Sequence, residues 1–250
     1  MGIHPDAAQE VVRIVQEAGN QGLTVRVLGG MAVRLHSPSA THRALVRAYP
    51  DLDFALGDRR GDRAEALLSG LGYEAHKSFN LLNGDRRLLF FDSEHDRQID
   101  VFVGTFHMCH TIPLAERMAI EPLTLPLAEL LLTKLQIVQM NEKDVRDITA
   151  LLLDHPVAEG DDETINQGRI AELCADDWGL WKTVHVSLSK VGENSAGFDL
   201  GDTAMAAIGE RVEALRQAID QMSKTMRWKL RARVGERLPW YDLPEEVQRT

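Results

Sequence analysis

Several absences narrow the field before any motif is read. Only two cysteines, Cys109 and Cys174, occur in 250 residues. They make no disulfide framework, and a cytoplasmic protein with both thiols reduced is expected. No uninterrupted apolar run approaches the ~18–20 residues of a membrane span. The opening stretch, MGIHPDAAQE, lacks the basic and apolar regions of a secretory signal. There is no internal repeat and no low-complexity tract. A Ser-centred nucleophile elbow, a Walker A run and a Gly-x-Gly-x-x-Gly run are also missing.

What is present is an ordinary globular composition, 44% hydrophobic and 26% charged. A chain of this length buries roughly 70–75% of its unfolded surface. One catalytic-size domain plus a helical addition is the natural organisation. The net charge of −10 is uneven. Arg211, Arg216, Lys224, Arg227, Lys229, Arg231, Arg233 and Arg237 face only Glu213, Asp220 and Glu236 in the same stretch. That strip carries +5 and leaves −15 for the remainder. It reads as a solvated helix face with internal ion pairs, or as a strip that steers a polyanion.

Hydrophobic periodicity predicts a helix over Ala7–Ala18, a strand over Leu23–Leu28, and a helix that starts at Met31. Alternation predicts a strand at Asp51–Leu56, and Gly70 and Gly72 close a helix over Arg63–Leu71. Arg87–Phe91 and Gln98–Val103 read as a hairpin with a longer polar loop. The texture changes near Pro113, with a boundary between residues 112 and 125. Helices are expected over Leu127–Gln139, Glu142–Leu153, Ile165–Cys174 and Trp181–Lys190, then a loop over Gly192–Gly201. One long helix is expected from Thr203 to Arg233. The expectation is an α/β (α+β) chain: a small mixed-sheet domain over residues 1–120, then an all-helical domain over 121–250.

Three features of the first half belong together. Leu28-Gly29-Gly30 is a strand that runs into two glycines and a helix. Without side chains, backbone N–H groups approach phosphate oxygens closely, and the helix start favours an anion. The plain alternative is a tight turn. Asp51 and Asp53 alternate on one strand, so both point the same way, roughly 6.5–7 Å apart along the backbone. Two such carboxylates repel unless a cation lies between them, and hard oxygens suit Mg²⁺ or Mn²⁺. A solvent-facing pair at a strand start is the alternative. Asp100 lies inside the apolar run Ile99-Asp100-Val101, where an unpaired carboxylate costs several kcal/mol. It wants a metal shared with Asp51 and Asp53, or an arginine such as Arg97 or Arg87.

The order of these features resembles the nucleotidyltransferase superfamily that includes DNA polymerase β. That family has a Gly-Gly or Gly-Ser turn, then Asp-x-Asp, then one further acid between apolar residues. The gap from Gly30 to Asp51 is longer than usual, which implies an insertion within Ser37–Pro50. The resemblance implies that this basic insertion borders a triphosphate, with Arg43 or Arg47 in contact with it. It further implies an NTP co-substrate and two ions held by Asp51, Asp53 and Asp100, with Gly29 and Gly30 on the phosphates.

The second half adds a second resemblance. Lys134, followed by Lys143-Asp144-Val145-Arg146-Asp147, is similar to the signature of AbiEii-like nucleotidyltransferases, known mainly as bacterial toxins. It implies that Lys134 neutralises phosphate and that Asp144 positions it, with RNA such as tRNA as acceptor and an antitoxin protein as partner. Lys134 is the only charge between Leu130 and Met140, which suits a lysine with something to face; the plain alternative is a surface lysine, with Asp144 an acid at a helix start. Gly-Gly and Asp-Leu-Asp also resemble aminoglycoside and lincosamide nucleotidyltransferases, which an acidic cleft would suit. A non-catalytic nucleotide-binding protein of the same fold is the rival of another class. His107-Met108-Cys109-His110 is cramped for tetrahedral zinc. The four tryptophans read as packing residues of the helical part.

Overall fold

Asp6 accepts a hydrogen bond from Gln9 N at 2.8 Å and so starts helix α1, Ala7–Asn20. The computed structural model describes residues 2–57 and 61–243. The elements continue with strand β1 (Val25–Leu28), α2 (Gly29–His36), β2 (Asp51–Leu56), α3 (Gly61–Gly70), β3 (Glu74–Ala75) and α4 (Lys77–Asn83). The strands β4 (Arg87–Asp92) and β5 (Arg97–Val103) come next, then the short β6 (Thr105–His107) and β7 (Thr111–Pro113). The helices α5 (Leu127–Leu135) and α6 (Glu142–Asp154), the two-residue strands β8 (Val157–Ala158) and β9 (Ile165–Asn166), and α7 (Gln167–Asp176) follow. The described chain ends with α8 (Trp178–Asn194), α9 (Asp202–Gln221) and α10 (Met226–Val234).

The chain divides into two compact units. The first takes Met1–His36, Arg47–His107 and Pro113–Pro126; the second takes Ser37–Val46, Met108–Ile112 and Leu127–Thr250.

The first unit is built on a five-stranded mixed sheet in the order β1-β2-β5-β4-β3. β2 and β5 run parallel, and the other neighbours are antiparallel. Alternation sends Leu52 and Phe54 into the core, where both are fully buried, and leaves Asp51 and Asp53 half-buried on the opposite face. The outer edge of β1 is not left bare. Val27 N donates to Leu123 O and Leu125 N donates to Val27 O, which seats Leu123–Leu125 beside it. The hairpin loop is shorter than the sequence implied. β4 and β5 each extend by one residue through the facing pair Asp92 and Arg97, so only 93–96 turns, with Asp96 in the left-handed region.

The described part of the second unit is helical apart from β8 and β9, which pair in parallel, and residues 111–112 of β7. Eight of the nine residues of α5 are buried, Lys134 being the exception. The single helix expected from Thr203 to Arg233 is two helices. Lys224 Nζ turns back to the carbonyls of Ile219 and Met222 at the end of α9, and Thr225 Oγ1 accepts from Trp228 N to start α10. Two local caps therefore outweigh the continuous helical composition. α8 starts at Trp178, three residues before its expected start, because Asp177 caps it, and it runs through Gly192 to Asn194. Cys109 and Cys174 are free and buried, and burial pushes both thiols up.

Candidate active site

β1 ends at Leu28, and α2 begins at the next residue, two residues before its expected start at Met31. Gly29 adopts φ +67°, a left-handed conformation that disfavours a side chain. A Cβ on Gly29 would also overlap the carboxylate oxygen Oδ2 of Asp53. At Gly30 a Cβ would overlap the guanidinium of Arg47. The first turn of α2 is thus bare backbone with an acid against one glycine and a base against the next.

The register explains why Asp53 is there. In β1 it faces Leu28, the residue that precedes the glycines, and in β5 it faces Asp100. Asp51 faces Gln98 one step along the same side. Leu28, Asp53 and Asp100 therefore follow one line across three strands, with Gly29 one residue past the end of β1 and Asp51 and Gln98 beside them.

Asp100 is buried and already engaged. Arg87 donates from Nε at 2.7 Å, with Nη2 at 2.6 Å from the same oxygen, Oδ1. Gln98 Nε2 donates to Oδ2 at 2.7 Å. Arg87 also lies over the Phe102 ring, 5.3 Å from its centre. Of the two arginines expected as partners, Arg97 goes elsewhere, bonding Asp92 directly opposite it.

Three carboxylates from two adjacent parallel strands supply the hard oxygens that a divalent ion prefers. Asp51 and Asp53 fit that role by type and register. Asp100 does not in this arrangement, because its oxygens bind Arg87 and Gln98. Among the described residues no group of three or more His, Cys, Asp or Glu side chains is arranged to hold a metal ion.

The remaining expected residues divide between the units. Arg47 belongs to the first, stacks over Tyr49 at 4.4 Å and donates to Ala48 O. Arg43 belongs to the second, where it pairs with Asp199 at 2.6 Å, both side chains well exposed. Lys134, also in the second, lies 2.9 Å from Asp147 Oδ2 and 3.3 Å from Asp144 Oδ1. Asp144 has a further task. With Asn141 it forms a reciprocal capping box at the start of α6.

Three partners were not singled out from the sequence: Arg87 as the chosen arginine, Gln98, and Asp147 as the nearer partner of Lys134. Gln98 had a signal, since it lies two residues before Asp100 and shares its face.

No family model and no curated protein matches the chain. Solved structures similar to it include an antigenic nucleotidyltransferase-like protein from Paracoccidioides brasiliensis, at 13% identity and TM-score 0.42 over 87% of this chain and 94% of that one. The antibiotic-resistance factor ANT(2'')-Ia is similar at 11% identity and TM-score 0.36, over 85% of this chain and 96% of that one. A tRNA nucleotidyltransferase complexed with a primer tRNA and an incoming ATP analog is similar at 14% identity and TM-score 0.33, over 80% of this chain and 50% of that one.

Proposed function

We propose that this chain is a nucleotidyltransferase that moves a nucleoside monophosphate from an NTP to an acceptor hydroxyl, with RNA as the acceptor and Mg²⁺ or Mn²⁺ as cofactor. The observation that carries this reading is Asp53 set against Gly29 and directly opposite Asp100, with Asp51 on the same face. Asp51 and Asp53 are the residues that would hold the ion. When bound, it would draw negative charge from the triphosphate oxygens. Gly29 and Gly30 offer bare backbone at the start of α2, where anions are favoured. Arg47, which lies against Gly30, supplies a cation beside that turn. Asp100 is the candidate base for the acceptor hydroxyl, for which it has to exchange Arg87. The acceptor oxygen then bonds the α-phosphorus, and pyrophosphate leaves.

The finer reading is a toxin-like enzyme with tRNA as acceptor and a protein antitoxin as partner. It rests on Lys134 and the Asp144–Asp147 spacing, whose three charges lie together. One observation favours a second reading, a nucleotide-binding protein that transfers nothing: both Asp100 oxygens are occupied by protein donors.

The test incubates the full chain with Mg²⁺ and each α-labelled NTP, with total tRNA in one arm and an aminoglycoside panel in another. Label on tRNA that disappears with Asp51→Ala supports the proposal, and the best NTP names the base. Label on a drug makes the acceptor a small molecule. No label in either arm, with Mg²⁺–NTP still bound, favours the second reading.

A further inference from the structure

All four tryptophans of the chain fall in the second unit, and they form one cluster. Trp181 meets Trp228 edge-on at 5.3 Å between ring centres. Trp178 lies 6.4 Å from Trp181 and 6.4 Å from Trp240, and Trp240 meets Tyr241 edge-on at 5.3 Å. Trp181 and Trp228 have the packing role that the sequence implied. Trp178 is buried too, and with Trp240 and Tyr241 it lines a cavity of about 470 Å³, within the roughly 300–1,000 Å³ of small-ligand sites.

The walls of this cavity are tied down. Arg231 lies over the Trp178 ring at 4.8 Å and donates to the carbonyls of Gly235, Leu238 and Pro239. Asp242 N donates to Cys109 O at 3.0 Å. At Gly179, in the first turn of α8, a Cβ would overlap the carbonyl oxygen of Trp240. The segment carrying Trp240 and Tyr241 is therefore drawn tightly against α8, and its rings are pre-placed at low entropic cost.

The chemistry of the lining is that of an amphipathic aromatic guest with an anionic end. Flat faces come from the indole of Trp240 and the phenol of Tyr241, while Trp178 is buried with Arg231 over its ring and closes the wall behind them. Arg227 also lines the cavity, is largely exposed, and pairs with Asp176 at 3.6 Å. Such a surface pair contributes little and yields readily to a stronger anion. Asp177, whose Oδ1 also accepts from Leu180 N at 3.0 Å, and Asp242 are in the wall; carboxylates accept, which suits the exocyclic amino group of a base rather than a phosphate. α10 carries Arg227, Lys229, Arg231 and Arg233 with no acid, and none of its residues is buried.

We infer that this cavity takes one unpaired nucleotide of a single-stranded nucleic acid. Its base stacks against Trp240 and Tyr241, and its phosphate lies at Arg227. The choice of RNA over DNA rests on the proposed function; the stacking itself does not. Bases with an exocyclic amino group, such as adenine and cytosine, bind better than uracil, which offers the Asp177 and Asp242 carboxylates one ring N–H in place of an amino group's two.

The test is a calorimetric titration of the full chain, without NTP or divalent ion, with single-stranded hexamers of A, C or U. A DNA hexamer and an RNA duplex serve as further arms. Binding of A and C hexamers about tenfold tighter than U hexamers and duplex is expected. Tyr241→Ala and Arg227→Ala, both outside the buried core, are each expected to weaken it at least about fivefold, as the loss of one stacked base or one phosphate contact does. Unchanged melting of both variants separates this from a folding defect. Equal binding of duplex and single strand, no preference against U, or no effect of either variant overturns the inference. DNA binding as tight as RNA leaves the site and removes the choice of RNA. Asp53→Ala separates the two proposals. If it still binds hexamers when no protein transfers label, the proposed function falls and the cavity stands. Label on tRNA with no hexamer binding means the reverse.

Discussion

Gly29 answers to two demands at once, its own backbone angle and the room taken by Asp53. Gly29→Ala is expected to cost about 1–3 kcal/mol from the left-handed backbone. It should also displace the Asp53 carboxylate, so transfer falls further than the melting temperature accounts for; a thermal melt beside a rate checks both. Asp53→Ala removes a half-buried acid at the candidate site. Transfer should fall roughly 10²–10³-fold, as when one charge-stabilising group is lost, and further than any change in a thermal melt accounts for. Arg87→Met leaves the Asp100 carboxylate buried without its cation, and about 3–5 kcal/mol of destabilisation is expected by denaturant titration. The paired placement of Asp51 and Asp53 was legible because strand alternation is local. The partner of Asp100 was not, because it depends on hairpin register. Asp92 stands directly opposite Arg97 and takes it, while Arg87 stands opposite Phe102 and reaches Asp100 on the diagonal.

α1 shows how one buried acid can fix an element. Glu10 is fully buried and accepts from Arg13 at 2.8 Å, from Tyr73 Oη and from the backbone N of His4. Burial pushes its carboxyl up, but the hydrogen bonds from Arg13, Tyr73 and His4 outweigh it and hold it below the ordinary carboxylate range. A depressed acid stabilises the fold above its unfolded pKa, about 4.3 for glutamate, and that stability is lost as pH falls through the lower folded value. Burial is likewise outweighed at Asp92, where Arg97 and His95 keep the carboxyl low, so it adds to the same loss. Acid unfolding of the wild type should therefore steepen below about pH 4, and Glu10→Gln should flatten it; circular dichroism against pH measures both. The break between α9 and α10 depends on shorter-range contacts. Thr225→Ala removes the α10 cap and should cost about 1 kcal/mol, read from a thermal melt. Thr225 was not picked out in the sequence because a threonine inside a basic helical run looks like any surface residue. Only the turned-back Lys224 marks where α9 stops.

The two-part character of the chain was legible from its composition, with apolar β-type runs giving way to long helical periods. Its interleaving was not. Ser37–Val46 sits between two segments of the first unit but belongs to the second, where Ser39 N donates to Asp154, Arg43 pairs with Asp199, and Arg146 donates to Val46 O. Nothing local in a Pro-, His- and Arg-containing stretch announces partners a hundred or more residues away. A fragment of residues 121–250 lacks all three contacts and should unfold at lower denaturant than the same fragment supplied with a peptide spanning 37–46. The clustered indoles have an optical consequence. Trp178, Trp181, Trp228 and Trp240 all lie in the second unit, so the first contains no tryptophan. Light absorbed at the red edge of the ultraviolet band is therefore emitted from the helical unit alone. The chain carries a built-in reporter that follows the unfolding of one unit without any signal from the other.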